Sequence, residues 1–184
     1  MNNIATAALM LNLTVAGIYA QPGPANITIS GSAAASTISL QPDSPTSEYQ
    51  LAGVNGRLGA FTFRVVSTSI PSAQPSSTCA GPNKLDLSAV AGAGVIRSQN
   101  GGLLKVNLTG GSDCIDFSVG AALCTRIFQI TGGTDRFKDA SGTVTLTMTV
   151  VPVMADSSNN PVFFAVTGTV SGIPIDQGPQ DAQP

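Results

Sequence analysis

A chain of 184 residues suits one domain with a core of its own, and its low charge (10% of residues) with abundant Thr, Ser, Gly and Val is the balance of an all-β protein. A net charge of -2 and a pI near 4.7 leave no basic patch to neutralise a run of phosphates, which excludes nucleic acid as a partner. Histidine is absent, so the usual general base and the commonest metal ligand are missing together.

Residues 4–20 are mostly small and apolar and end at Gln21-Pro22-Gly23-Pro24, which reads as an export signal cleaved after Ala20, with a second small-residue site at Thr14-Val15-Ala16. No Lys or Arg precedes the run, and a first strand or an unstructured arm is the alternative. The run is short and interrupted by Asn12 and Thr14, so no integral membrane span is expected in the mature chain, and a secreted or periplasmic address follows. Residues 21–56 form a Pro/Ser-rich N-terminal segment with short strands at 26–29 and 37–40, broken by Gln41-Pro42-Asp43-Ser44-Pro45.

A barrel domain is expected over 57–175. Its first strand, 58–67, turns Phe61, Phe63 and Val65 to one face and Thr62, Arg64 and Val66 to the other. A long Pro/Ser-rich loop covers 69–82, a strand covers 84–87, and the small residues of 89–94 suggest a short turn before the next strand at 94–98. Asn100-Gly101-Gly102 signals a hairpin into 103–109, and Gly110-Gly111-Ser112-Asp113 turns the chain again. Strands at 123–131, 143–153 and 162–170 complete the set, and the polar tail 176–184 is expected to be disordered. Val144, Leu146, Met148 and Val150 share one face, while Thr143, Thr145, Thr147 and Thr149 form a ladder suited to a solvated or subunit-facing surface. No stretch keeps a helical period. About eight strands joined in sequence predict a single antiparallel β-barrel, with a two-sheet β-sandwich as the alternative.

Three cysteines suit an oxidising compartment and leave one over. A three-residue loop of Ser118, Val119 and Gly120 sets Phe117 against Ala121 and Cys114 against Cys124, so a cross-strand disulfide between Cys114 and Cys124 is possible. Cys79, in the long loop, is the rival partner, and all three pairings stay open.

Ile130-Thr131-Gly132-Gly133-Thr134, with Phe137, Ala140 and Gly142, resembles the Gly-Gly-Thr-Gly-x-Phe-x-x-Ala-x-Gly turn of dirigent proteins and the related allene oxide cyclase-like barrels. Asp135 stands where those families usually have Gly; Asp tolerates the left-handed region better than most residues. The resemblance, closest to a secreted bacterial branch, implies an eight-stranded barrel that is often trimeric and apolar inside. It also implies that Phe137 floors one end and that Gly132, Gly133 and Gly142 shape the turn. It carries no activity across, because no counterpart of the families' charged cavity residues is seen in the sequence.

The ligand-binding candidates are Arg126, Arg64, Phe61, Phe63 and Phe128. Arg126 shares a strand face with Cys124, Phe128 and Ile130; if that face is interior, it is a buried cation that pairs internally, snorkels at a rim or awaits an anionic ligand. Arg64 has the same ambiguity. Asp113 and Asp116 read as turn caps rather than paired catalytic carboxylates, and Arg136 and Lys138 between Asp135 and Asp139 would oppose a metal. Catalytic residues are therefore unknown, and no metal or other cofactor is expected. Three functions fit: an apolar small molecule bound inside the barrel, a structural or interaction module with a packed core, or a cofactor-independent cyclase or isomerase.

Overall fold

The computed structural model describes residues 25–41, 44–56, 58–151 and 160–173; the export segment 1–20 and the tail 176–184 lie outside them. Among the described residues, eight strands follow one another: β1 (Ala25–Gln41), β2 (Ser44–Asn55), β3 (Gly59–Pro71), β4 (Lys84–Ser98), β5 (Leu103–Asp116), β6 (Ala121–Gly133), β7 (Ser141–Val150) and β8 (Asn160–Ser171). Each pairs antiparallel with the next in one curled sheet, and β1 pairs on its other edge with β8, so the sheet closes on itself as a barrel. The sheet is single and continuous, so the sandwich alternative is not the one adopted. Among the described residues, no helix is long and apolar enough to cross a membrane.

Alternation explains most of these strands. On β7, Val144, Leu146, Met148 and Val150 are buried, while Thr143 and Thr149 between and beside them are exposed. On β3, Phe61, Phe63, Val65, Ser67 and Ser69 all turn inward. Three expectations need correction. The segment 21–56 is not separate from the barrel: β1 and β2 are its first two staves, so the barrel starts at Ala25 rather than at 57. The alternation that marks a strand is weak in this Ala/Ser-rich stretch, and Pro45 is tolerated because it lies at the start of β2. Second, the small residues 89–94 are not a turn but the middle of β4, where Val90 is left without a partner between Thr68↔Ala91 and Ser69↔Ala89. A bulge there bends the strand without ending it. Third, the hairpin after β5 is closed by Asp116↔Ala121, and Cys114 stands opposite Leu123 rather than Cys124.

The connections β2–β3, β4–β5 and β6–β7 lie at one end of the barrel, which Phe137 floors. This ring sits in a single 3₁₀ turn, Asp135–Phe137, and exposes nothing. Arg136 places its guanidinium 4.8 Å from the Phe137 ring centroid and donates to the Leu58 carbonyl at 2.8 Å. The turn is clamped to β5: the Thr134 amide donates to the Leu103 carbonyl at 2.8 Å, and the Leu103 amide donates to Thr134 Oγ1 at 3.0 Å. A side chain at Gly133 would overlap the Leu103 carbonyl and Phe137 itself, so this glycine is what allows the ring to tuck under the barrel. Asp135 has φ 52°, the left-handed backbone that Gly would otherwise supply.

Above the floor, Phe63, Val65, Leu104, Phe128, Val144, Leu146 and Met148 also expose nothing. Phe63 meets Phe128 edge to face at 5.9 Å between centroids. An eight-stranded barrel is just wide enough for side chains to fill it, and here they do. The other end, the rim, carries the connections β1–β2, β3–β4, β5–β6 and β7–β8.

Candidate functional site

Just beneath the rim the interior changes character. The outermost inner row, read across β4 to β8, is Leu85, Ile115, Ala122, Val150 and Val162, with Ala33 of β1 opposite Val162. Leu85 is 36% exposed and Ile115 half-buried, so this apolar ring is open to solvent at one side. The row below it contains Leu87, Asp113, Cys124, Met148 and Phe164, and the next contains Gly111, Arg126, Leu146 and Val166.

Arg126 is the centre of this polar layer and is 1% exposed. Its guanidinium makes a two-pronged bond to Asp113, Nη1 to Oδ1 at 2.6 Å and Nη2 to Oδ2 at 2.8 Å. Nε donates to Ser67 Oγ at 3.0 Å, Nη2 also reaches Ser69 Oγ at 3.2 Å, and Nη1 reaches the Thr125 carbonyl at 3.0 Å. Ser69 in turn donates to Asp113 Oδ2 at 2.8 Å. Every N–H of the guanidinium is therefore directed at a protein acceptor, which is what a buried cation requires. Burial opposes its charge, but the bonded Asp113 carboxylate outweighs that and holds Arg126 above its ordinary pKa.

Two further protic groups adjoin the pair. Burial, partly offset by the Arg126 charge, pushes the Tyr49 phenol up to about 12. Burial and the neighbouring Asp113 carboxylate push the Cys124 thiol up as well. Both hold their protons across neutral pH, so neither a phenolate base nor a thiolate nucleophile is present there.

How Asp113 comes to face inward is the local key. Leu104, Val106 and Leu108 point inward on β5, which by simple alternation would turn Cys114 inward and Asp113 out. Thr109 has no partner between Leu108↔Phe128 and Gly110↔Ile127. This bulge shifts the inner set to Asp113 and Ile115 and leaves Cys114 on the outside. Gly111, at φ 155°, lies so close to the Thr125 carbonyl that no side chain would fit. The Cys114–Cys124 pairing is thereby overturned, since the two sulfurs lie on opposite faces of the sheet. Cys114 is instead bonded to Cys79, and Cys124 is free and buried.

That disulfide ties the β3–β4 connection down on the outer face of β4 and β5. Asp86, also buried and facing outward, holds the same loop by accepting from the Ser76 amide at 2.6 Å and from Ser72 Oγ at 3.2 Å. Asp116 caps the β5–β6 hairpin as read from the sequence, accepting from the Ser118 amide at 2.9 Å.

Of the candidate ligand-binding residues, Arg126, Phe61, Phe63 and Phe128 lie inside. Arg64 does not: it is exposed on the outer face of β3, paired with Glu48. Its side-chain direction follows the strict alternation with Phe63 and Val65. Asp113, Tyr49, Ser67 and Ser69 are the site residues that sequence reasoning missed. The serines were legible as the continuation of the Phe61-Phe63-Val65 stripe, whereas Asp113 was hidden by the bulge. Among the described residues, no group of three or more Cys, Asp or Glu is placed to hold a metal ion.

No protein-family model and no curated protein matches the chain. Among solved structures, a pterocarpan synthase dirigent protein matches at 16% identity and a TM-score of 0.26, over 90% of this chain and 98% of its own. This is a weak, partial likeness to a dirigent-family protein, and no residue role is carried across it.

Proposed function

We propose that the rim of this barrel is a binding cup for a small, mostly apolar molecule with a hydrogen-bond acceptor at one end. The observation that carries this reading is the order of layers: a partly exposed apolar ring from Leu85 to Ala33 lies directly above a layer holding Tyr49, Cys124, Ser69 and the Arg126–Asp113 pair. Sites that take small molecules combine an apolar wall with a few convergent polar groups in this way. The outermost row includes the small side chains Ala33 and Ala122 beside Leu85, Ile115, Val150 and Val162. We read the protein as exported, and the Cys79–Cys114 disulfide supports that address, since such bonds persist in oxidising compartments.

A packed structural module is the second reading, favoured by the complete burial of the middle of the barrel. A cyclase or isomerase has the least support, because Arg64 points outward and the N–H groups of Arg126 are taken by protein acceptors. The test is uptake of an apolar naphthylamine dye, together with native mass spectrometry of protein exported by a bacterial host. Binding predicts fluorescence enhancement that Ala122→Phe abolishes while the chain stays folded, and an adduct that leaves on denaturation. A protein that takes up no dye and carries no adduct is the packed module.

A further inference from the structure

Hydrogen-bonding capacity in the polar layer beneath the rim is unevenly used. Every N–H of Arg126 and both oxygens of Asp113 are engaged, with each other or with Ser67, Ser69 and Thr125. The Ser69 proton is committed to Asp113 Oδ2. Ser67 differs. Its Oγ lies 3.0 Å from Arg126 Nε, and because a guanidinium can only donate, Ser67 accepts in that bond and keeps its own proton. Among the described residues no acceptor takes that proton, and at 1% exposure the side chain does not reach bulk solvent. A buried donor left in this state is unfavourable, so its position calls for an acceptor. Ser67 stands on β3, across the eight-stranded barrel from β7, whose rim end turns Val150 inward beside Ala122 of β6.

We propose that the molecule held at the rim is a neutral carbonyl compound, a ketone or ester with a hydrocarbon chain, whose carbonyl oxygen accepts the Ser67 O–H. This rests on the reading of the rim as a binding cup and narrows its ligand by charge as well as by shape. A carboxylate is disfavoured. It would bring a second anion to a layer whose one cation is already matched by Asp113 at 2.6 and 2.8 Å and has no N–H left to offer. An alcohol brings a proton of its own to a layer where the Asp113 oxygens are already engaged. A pure hydrocarbon leaves the Ser67 proton unmet. A carbonyl oxygen brings lone pairs and no proton, which is the complement of what Ser67 presents. With that oxygen at Ser67, the hydrocarbon of the ligand meets the apolar wall of Ala122, Val150 and Val162 on the facing strands.

Competition for the naphthylamine dye tests the proposal, run at neutral pH with methyl octyl ketone and with decanoate, which has the same number of carbons. The ketone should displace the dye at a concentration about tenfold or more below that of decanoate, since it gains a buried hydrogen bond where decanoate brings an unmatched charge. The infrared carbonyl band of the bound ketone should lie at lower wavenumber than that of the ketone in hexane. Ser67→Ala should return the band to its hexane position and remove most of the preference, which a merely structural Ser67 would not do. Equal or better displacement by decanoate, an unshifted band in the wild-type protein, or a shift that persists in Ser67→Ala overturns the carbonyl assignment and leaves the cup standing. A protein that takes up neither dye nor ketone overturns both. If Ser67→Ala does not fold, the wild-type ratio and band position decide the matter.

Discussion

The floor half and the rim half of this barrel are built by the same strands and held by different physics. Around Phe63, Phe128 and Phe137 the interior is hydrocarbon, and its stability comes from area removed from water, which is indifferent to direction. Around Arg126 and Asp113 the interior is a hydrogen-bonded layer in which each partner is needed by the others. The lower half should therefore lose stability in proportion to the volume removed. The upper half should fail when one member is taken away and tolerate removal of the whole set.

The largest expected effect breaks the upper layer. Asp113→Ala strands a buried guanidinium and should cost ~3–5 kcal/mol in urea unfolding, while Asp113→Leu combined with Arg126→Met should be close to neutral. A double variant as damaged as the single one would show that the layer stabilises by more than mutual satisfaction. In the floor half, Phe137→Ala should cost ~3–5 kcal/mol, with no second substitution that restores it by removing a partner. The Cys79–Cys114 bond closes a loop with a sequence separation of 35, so Cys79→Ser with Cys114→Ser should lower stability by up to ~4 kcal/mol by the chain-entropy relation. Cys124→Ala should change the oxidised protein much less, since its sulfur belongs to no bridge.

A smaller effect separates the halves by pH. Tyr49 is raised from 10.0 to about 12 in the folded state, so its contribution is intact below pH 10 and is lost as pH rises through 10 toward 12. That amounts to about 2–3 kcal/mol for two pKa units, and Tyr49→Phe should flatten this alkaline decline in melting temperature. The smallest expected change is Ala122→Leu, which adds methylenes at a buried position and should cost ~1–3 kcal/mol while reducing dye uptake at the rim.

These two halves were not equally legible in the sequence. The floor was readable because its devices are local: a glycine pair, Phe137 and the alternating run of β7 lie within one continuous stretch. The interior position of Arg126 was also readable from its companions Cys124, Phe128 and Ile130. Its partner was not, because a single unpaired residue, Thr109, reverses the parity of everything after it on β5. The same slip misplaced Cys114, so one bulge accounts for both the missed ion pair and the wrong disulfide. β1 and β2 were obscured for another reason. Their sequence is small and polar, and the pairing partners that make strands of them lie on β3 and β8.

The staple on the outer face has a consequence for protease sensitivity. Ala80, Gly81, Pro82 and Asn83 are exposed and lie between the two bonded cysteines in sequence, so a protease cut among them divides the chain while Cys79–Cys114 keeps the fragments as one covalent molecule. Such a nick would leave all eight strands paired and the intact mass changed only by one water, and it would become visible on a denaturing gel only after reduction.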